Sequence, residues 1–183
     1  MDILMLVGSL RADSWTGRVS ETFAGLLPED THAWAYAALA ELPHYDADLD
    51  TDRAPVSVTA LRAAIDAADA LVVATPEYNG SVTGVLKNAI DWASRPRGAS
   101  ALSGKPTAVI SVSPSPRGAQ WAREDLEKIL RVAGAEPLAE SVGVASVHDV
   151  LVGGEVADPE AHRALTALAH ALVASVEQEQ PAA

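Results

Sequence analysis

The sequence predicts an α/β domain built on a parallel sheet with helices on both faces. Four apolar runs of strand length recur, at 2–7, 31–36, 70–75 and 107–113. Each is followed by a Gly, Pro or Ser cluster and then, in most cases, by a helical pattern, which is the alternation of βαβ units. The ends of the first and third runs also carry the two most unusual loops in the chain, GSLRADS at 8–14 and PEYNG at 76–80. In an open α/β sheet the carboxyl ends of the strands are where ligands bind.

The elements follow in order. DILMLV at 2–7 stops at Gly8, and Ser14 is an ordinary start for a first helix. After the second strand, residues 37–57 form the longest irregular connection, acidic and bounded by prolines, placed to cover the ligand or a neighbouring subunit. The third strand runs through Pro76, Asn79 and Gly80 into a helix that begins at Gly84. Gly134 can end the fourth helix, and a fifth strand is expected near Leu138 to Val144. Asp158-Pro159 opens a last helix reaching about Gln178, with Leu165, Leu168, Ala169, Leu172 and Val176 at helical spacing. Five strands and about five helices in this order fit a flavodoxin-like three-layer sandwich of strand order 2-1-3-4-5. Residues 1–178 then form one domain and 179–183 a frayed tail.

At 183 residues the chain is long enough for one sizeable core and short for two. Its 13 Lys and Arg against 25 Asp and Glu give a formal charge of -12, which argues against a nucleic-acid partner. Any anionic ligand must be held by local arginines and amides against that field. The absence of cysteine excludes disulfides, thiolate metal sites and cysteine nucleophiles. Asp2 stands where a signal peptide would carry positive charge, and no run approaches the roughly 20 apolar residues that span a bilayer. The expectation is a soluble, cytoplasmic protein with no membrane partner.

Around the first loop, the amides, the helix start and the hydroxyls of Ser9, Ser14 and Thr16 can converge on a phosphate, with Arg11 adding a planar charged fork. The triphosphate-loop and dinucleotide fingerprints are both absent. In the bland alternative Ser14 only caps a helix and Arg11 is a solvated charge. In the second loop proline fixes one φ, and the glycines let main-chain amides approach a flat ligand.

Together GSLRADS at 8–14, LPHYDADL at 42–49 and above all PEYNGSVTGVLKNAIDW at 76–92 resemble the NADPH-dependent FMN reductase family, flavodoxin-like enzymes that include quinone, azo-dye and chromate reductases. The resemblance implies FMN as cofactor and NADPH or NADH as co-substrate. It places the FMN phosphate on Ser9, Arg11, Ser14 and Thr16. The isoalloxazine lies against Pro76, Glu77, Tyr78, Asn79 and Gly80, whose backbone amides meet its N5, O4 and O2 edge, and Ser113 lines the ribityl and ring side. It further implies hydride transfer from nicotinamide to flavin N5, then reduction of a quinone, flavin, azo compound or similar small-molecule acceptor in ping-pong order, by a homodimer or homotetramer. This chain departs from the pattern at Thr16, usually asparagine, at Thr83, usually proline, and from Ser113 to Trp121, where relatives are glycine-rich and this rim is stiffer and bulkier.

Side chains add little chemistry of their own. Glu77 invites a general-base role, but hydride transfer to a flavin needs no protein base, so no catalytic side chain is expected. Lys87 and Asp91 are spaced for a surface ion pair, and Asn88 faces back to fix the second loop through a carbonyl. His44 and Tyr45 can reach a neighbouring subunit. His32, His44, His148, His162 and His170 lack metal-ligand spacing, so no metal is expected. Arg11, Arg18, Arg95 and Arg117 are all candidates for the 2′-phosphate of NADPH. Two rival readings use the same fold: a non-enzymatic flavodoxin-type electron carrier, and a flavin-free module binding another phosphate ligand.

Overall fold

The structure, a computed structural model, describes residues 1–179. Five strands carry the sheet as expected: β1 (Asp2–Val7), β2 (His32–Ala35), β3 (Ala70–Pro76), β4 (Pro106–Val112) and β5 (Glu136–Pro137), in the order β2-β1-β3-β4-β5. A sixth, β6 (Val142–Val144), pairs with β4 beyond β5. All of these pairings are parallel. The long helices are α1 (Trp15–Gly25), α2 (Val56–Ala67), α3 (Gly84–Ala93) and α4 (Gln120–Ala133). A one-turn α5 (Val147–Val150) and a hairpin, β7 (Leu151–Val152) with β8 (Glu155–Val156), precede the terminal α6 (Pro159–Glu179).

Alternation along the strands divides the core in two. Leu4, Leu6, Leu71, Val73 and Val109 face α2, α3 and α4 and pack on Leu61, Ile65, Leu86, Ile90, Trp92, Leu126 and Leu130. Ile3, Met5, Val72, Ala74, Ile110 and Val112 face α1 and α6 and pack on Val19, Phe23, Leu165, Leu168 and Leu172. The strands β3 and β4, buried on both faces, accordingly read as unbroken apolar runs.

The predicted fifth strand is corrected by the structure: it is split. Glu136 and Pro137 pair with Pro106 and Thr107, whereas Val142 to Val144 pair with Ile110 to Val112, so two extra residues lie between the paired segments. Pro137 has no N–H to extend the ladder. The Leu138 N–H still donates to the Thr107 carbonyl (3.0 Å), and the chain then bulges out to where the Ser141 hydroxyl donates to Glu127 on α4 (2.6 Å). The last helix starts where expected, with Asp158 Oδ1 accepting from the N–H groups of Glu160 (3.1 Å) and Ala161 (2.8 Å). It runs to Glu179, and residues 180–183 of the expected frayed tail lie outside those described.

The acidic connection between β2 and α2 is tied to its own chain. Asn88 Nδ2 and Trp92 Nε1 both donate to the Pro43 carbonyl (2.9 and 2.8 Å), and Tyr45 N–H donates to Asn88 Oδ1 (2.8 Å). Tyr45 packs edge-on to the fully buried Trp92, and its hydroxyl accepts from Arg95 Nε (3.1 Å). Arg62 donates to the Trp92 carbonyl (3.0 and 2.8 Å) and to Asp50 (2.9 Å). Asn88 thus fixes residues 43–45 and not, as the sequence suggests, the loop before its own helix. At the start of this connection burial, and then the nearby Glu41 charge, raises the Tyr36 phenol above its ordinary value, favouring the neutral hydroxyl.

Replacing Asn88 by Ala leaves the Tyr45 N–H without its acceptor and removes one of two donors to Pro43. We expect a loss of about 2 kcal/mol, or roughly 4–8 °C in Tm for a domain of this size. Thermal unfolding followed by circular dichroism checks it, and an unchanged midpoint contradicts the anchoring role.

Candidate functional site

The sheet register brings three loops to one level. Val7 lies opposite Ala74, Pro76 lies opposite Val112, and Gly8 N–H continues the ladder onto the Ala74 carbonyl (2.7 Å). The residues after β1, β3 and β4 therefore leave the sheet side by side. Gly8 is needed at this point: a Cβ there meets Thr83 Oγ1 at 3.0 Å, Leu86 Cδ2 at 3.1 Å and the Ala74 carbonyl oxygen at 3.2 Å.

A cleft of about 230 Å³ opens between these loops, lined by Ser9, Arg11, Ser14, Trp15, Thr16, Pro76, Glu77, Tyr78, Val112, Ser113 and Pro114. Every expected site residue except Asn79 and Gly80 lines it. One end gathers hydroxyls, an arginine and the start of α1. Ser14 caps α1 by accepting from Gly17 N–H (3.2 Å), so the capping alternative is realised, yet a hydroxyl retains a proton to donate. The N–H groups of Trp15 and Thr16, in the first turn of α1, have no intrahelical acceptor and point the positive end of the helix at the loop. The walls are apolar and aromatic, from Trp15, Pro76, Tyr78, Val112 and Pro114.

Asn79 and Gly80 form the turn of a tight hairpin, at φ 54° and 78°. Tyr78 N–H donates to the Ser81 carbonyl (3.1 Å) and Ser81 N–H donates back to Tyr78 (3.3 Å). Two positive φ values in a two-residue turn select Asn-Gly. This corrects the expectation that all five amides of 76–80 face a ligand. Pro76 has no N–H and that of Tyr78 is already engaged, which leaves Glu77, Asn79 and Gly80.

Glu77 has a role that sequence reasoning missed. Ala119 enters α4 in the left-handed region and has no side-chain acceptor, so the helix start lacks a local cap. Glu77 Oε2 supplies it by accepting from Ala122 N–H (3.1 Å), and the Ser81 hydroxyl donates to Asp125 Oδ2 (2.8 Å). The loop and α4 are thereby clamped together. The signal was legible: no Ser, Thr, Asp or Asn directly precedes Gln120, so the cap had to come from elsewhere.

The remaining candidates are placed as follows. Lys87 Nζ donates to both Asp91 oxygens (2.7 Å each), a half-exposed helical ion pair. Ser113 Oγ accepts from Ser115 N–H (3.0 Å), which turns the chain after β4 while keeping Ser113 on the cleft. Thr83, at the start of α3, is buried with a hydroxyl that has no hydrogen-bond partner and does not cap its helix. A separate cleft of about 280 Å³ between α3 and α4, with Lys87, Arg95, Arg97 and Lys128 on its rim, is larger. It receives none of the strand-end loops, so the geometry favours the smaller cleft. Among the described residues no group of three or more His, Asp or Glu comes together, and no helix is long and apolar enough to cross a membrane.

Residues 1–149 match the family model described as NADPH-dependent FMN reductase. A 2-hydroxy-1,4-benzoquinone reductase of a Burkholderia species is 41% identical over 129 residues, 70% of this chain and 69% of that protein. A quinone reductase of Pseudomonas putida is 44% identical over 116 residues, 63% of this chain and 62% of that one, just under two thirds of its length. Among solved structures, the flavoenzyme NAD(P)H:(acceptor) oxidoreductase FerB from Paracoccus denitrificans superposes with a TM-score of 0.85 at 34% identity, covering 97% of each chain.

Glu77→Ala removes the cap of α4 and is expected to cost about 1 kcal/mol in urea unfolding, while Glu77→Gln, which keeps an acceptor oxygen, costs less than half of that. Equal losses in the two variants contradict the capping role.

Proposed function

Since the chain belongs to the NADPH-dependent FMN reductase family, we propose that it is an NAD(P)H-dependent FMN oxidoreductase whose acceptors are quinones and comparable flat, two-electron oxidants. The observation that carries this reading is the convergence of two chemically different loops in one cleft. Phosphate donors stand at one end and an apolar, aromatic slot at the other. The donor set fits FMN: Ser9, Ser14, Thr16, Arg11 and the start of α1 for the phosphate, the free amides around the Asn79-Gly80 turn for the ring edge, and Ser113 beside the ribityl chain. Bound there, FMN supplies hydride acceptance at N5 and delivery of the electrons to the acceptor.

The protein's own share is placement. Arg11 offsets the phosphate charge in an acidic chain, and the Glu77 and Ser81 tethers keep the second loop seated on α4. Glu77 spends a carboxylate oxygen on a backbone amide, which suits a structural role better than proton transfer. One cleft serving both the nicotinamide and the acceptor supports a ping-pong order. We further infer a homodimer or homotetramer working in the cytoplasm, where reduced nicotinamide is available; light scattering and cell fractionation test these two points.

The purified protein is expected to show a flavin visible spectrum and to oxidise NADPH steadily when a quinone is supplied. Arg11→Ala is expected to raise the Kd for FMN about tenfold, the order of one charge-assisted hydrogen bond. A protein that is colourless and fails to quench FMN fluorescence overturns the reading. One that binds FMN without being reduced by NADPH or NADH is an electron carrier instead.

A further inference from the structure

Four arginines are candidates for recognising the extra phosphate of NADPH, and the structure finds other work for three. Arg18 Nε donates to Asp13 Oδ1 (2.9 Å). Arg95 is committed to Tyr45, with its guanidinium 5.5 Å from the ring centroid and Nε on the hydroxyl. Arg11 lies in the cradle at the far end of the cleft. Arg117 alone is presented for a ligand. Among the described residues its guanidinium has neither a carboxylate partner nor a hydrogen bond, and it lies 5.3 Å from the centroid of the Trp121 ring. Glu77, Asp125 and Glu124 point instead at the Ala122 N–H, the Ser81 hydroxyl and Gln120 Nε2 (2.8 Å).

The segment that carries Arg117 is wound tightly. Ser113 Oγ accepts from Ser115 N–H, Ser115 Oγ accepts from Arg117 N–H (3.1 Å), and the buried Ser111 hydroxyl donates to the Gly118 carbonyl (2.6 Å). Pro114 and Pro116 remove further freedom. Trp121 is 54% exposed, and its Cε3 lies 3.5 Å from where a Cβ on Gly80 would be, so the indole borders the hairpin over the expected flavin site. Arg117 does not line the cleft itself; it lies beside Trp121, whose indole borders the hairpin. A dinucleotide donor carries its 2′-phosphate at the end remote from the nicotinamide.

We propose that Arg117, held over the Trp121 ring, receives the 2′-phosphate of NADPH and makes the protein prefer NADPH to NADH. The planar fork can bind a phosphate bidentately, and the cation–π contact with the indole favours this placement beforehand, so less side-chain freedom is lost on binding. The exposed indole and guanidinium also offer flat faces to the adenine. An arginine beside the adenosine ribose is a general means of accepting a 2′-phosphate.

The inference rests on the nicotinamide-dependent reading, and its test is made to fail separately. Binding of adenosine 2′,5′-bisphosphate and of adenosine 5′-monophosphate is measured by calorimetry on the full chain, without turnover. The wild type is expected to bind the bisphosphate about tenfold more tightly. Arg117→Gln should abolish that preference, Arg117→Lys should restore part of it, and Arg97→Gln, on the separate α3–α4 cleft, should leave it intact. The NADPH-to-NADH ratio of kcat/KM should fall in parallel in Arg117→Gln. A wild type without the preference, an Arg117→Gln variant that keeps it, or an equal loss in Arg97→Gln overturns the proposal. A protein that lacks flavin yet shows the predicted binding pattern overturns the enzymatic reading and leaves this assignment standing.

Discussion

Everything at the candidate site depends on the handedness of two crossovers that start from neighbouring parallel strands. Connections between parallel strands are right-handed, so the step from β1 outward to β2 places α1 on one face, and the step from β3 to β4 places α3 on the other. The chains leaving β1 and β3 must therefore diverge, and a crevice opens where they part. The register from Ile3↔Ala70 to Val7↔Ala74 sets both departures at one level. Within that geometry a loop of hydroxyls and a loop of free amides become two ends of one receptor.

The 76–92 signature divides into parts with different duties. Its first half shapes the cleft through a two-residue turn, while its second half, through Asn88 and Trp92, grips the Pro43 carbonyl and so holds the acidic connection against α3. A part-buried carbonyl accepting two such donors is costly to leave unpaired, which gives both residues a structural reason to be present. Between the halves, Glu77 and Ser81 couple the loop to α4. Movement of the loop is thus resisted from one side by a helix start that has no cap of its own, and the cleft can keep its shape before a ligand arrives.

Electrostatics point the same way. A chain with a formal charge of -12 repels anions at long range, so recognition of phosphate must rest on short-range, directed donors. Several carboxylates of the loop and α4 are directed at amide and hydroxyl donors within the fold, and among the described residues neither Arg11 nor Arg117 makes a salt bridge.

The strand and helix pattern, the sheet order, the start of α6 at Asp158-Pro159 and the two loops that border the cleft were legible in the sequence, because each rests on local periodicity or on Gly, Pro and Ser placed within a few residues of one another. The β7–β8 hairpin was missed although Gly153-Gly154 between Leu151-Val152 and Glu155-Val156 is a hairpin signal, and both glycines do adopt positive φ, 64° and 97°. The split of β5 from β6 depends on register against β4, which no local pattern records. The same holds for Asn88 on Pro43 and for the identity of Glu77 as the cap on Ala122, where the sequence shows only that a local cap is lacking. By itself the sequence determined which segments become strands and helices and which two loops leave the strand ends around the cleft, since those follow from side-chain period and backbone freedom. Only the tertiary structure decided which polar groups are already satisfied by distant partners, because hydrogen bonds between residues some 45 apart are set by packing in space and leave no mark on neighbouring residues.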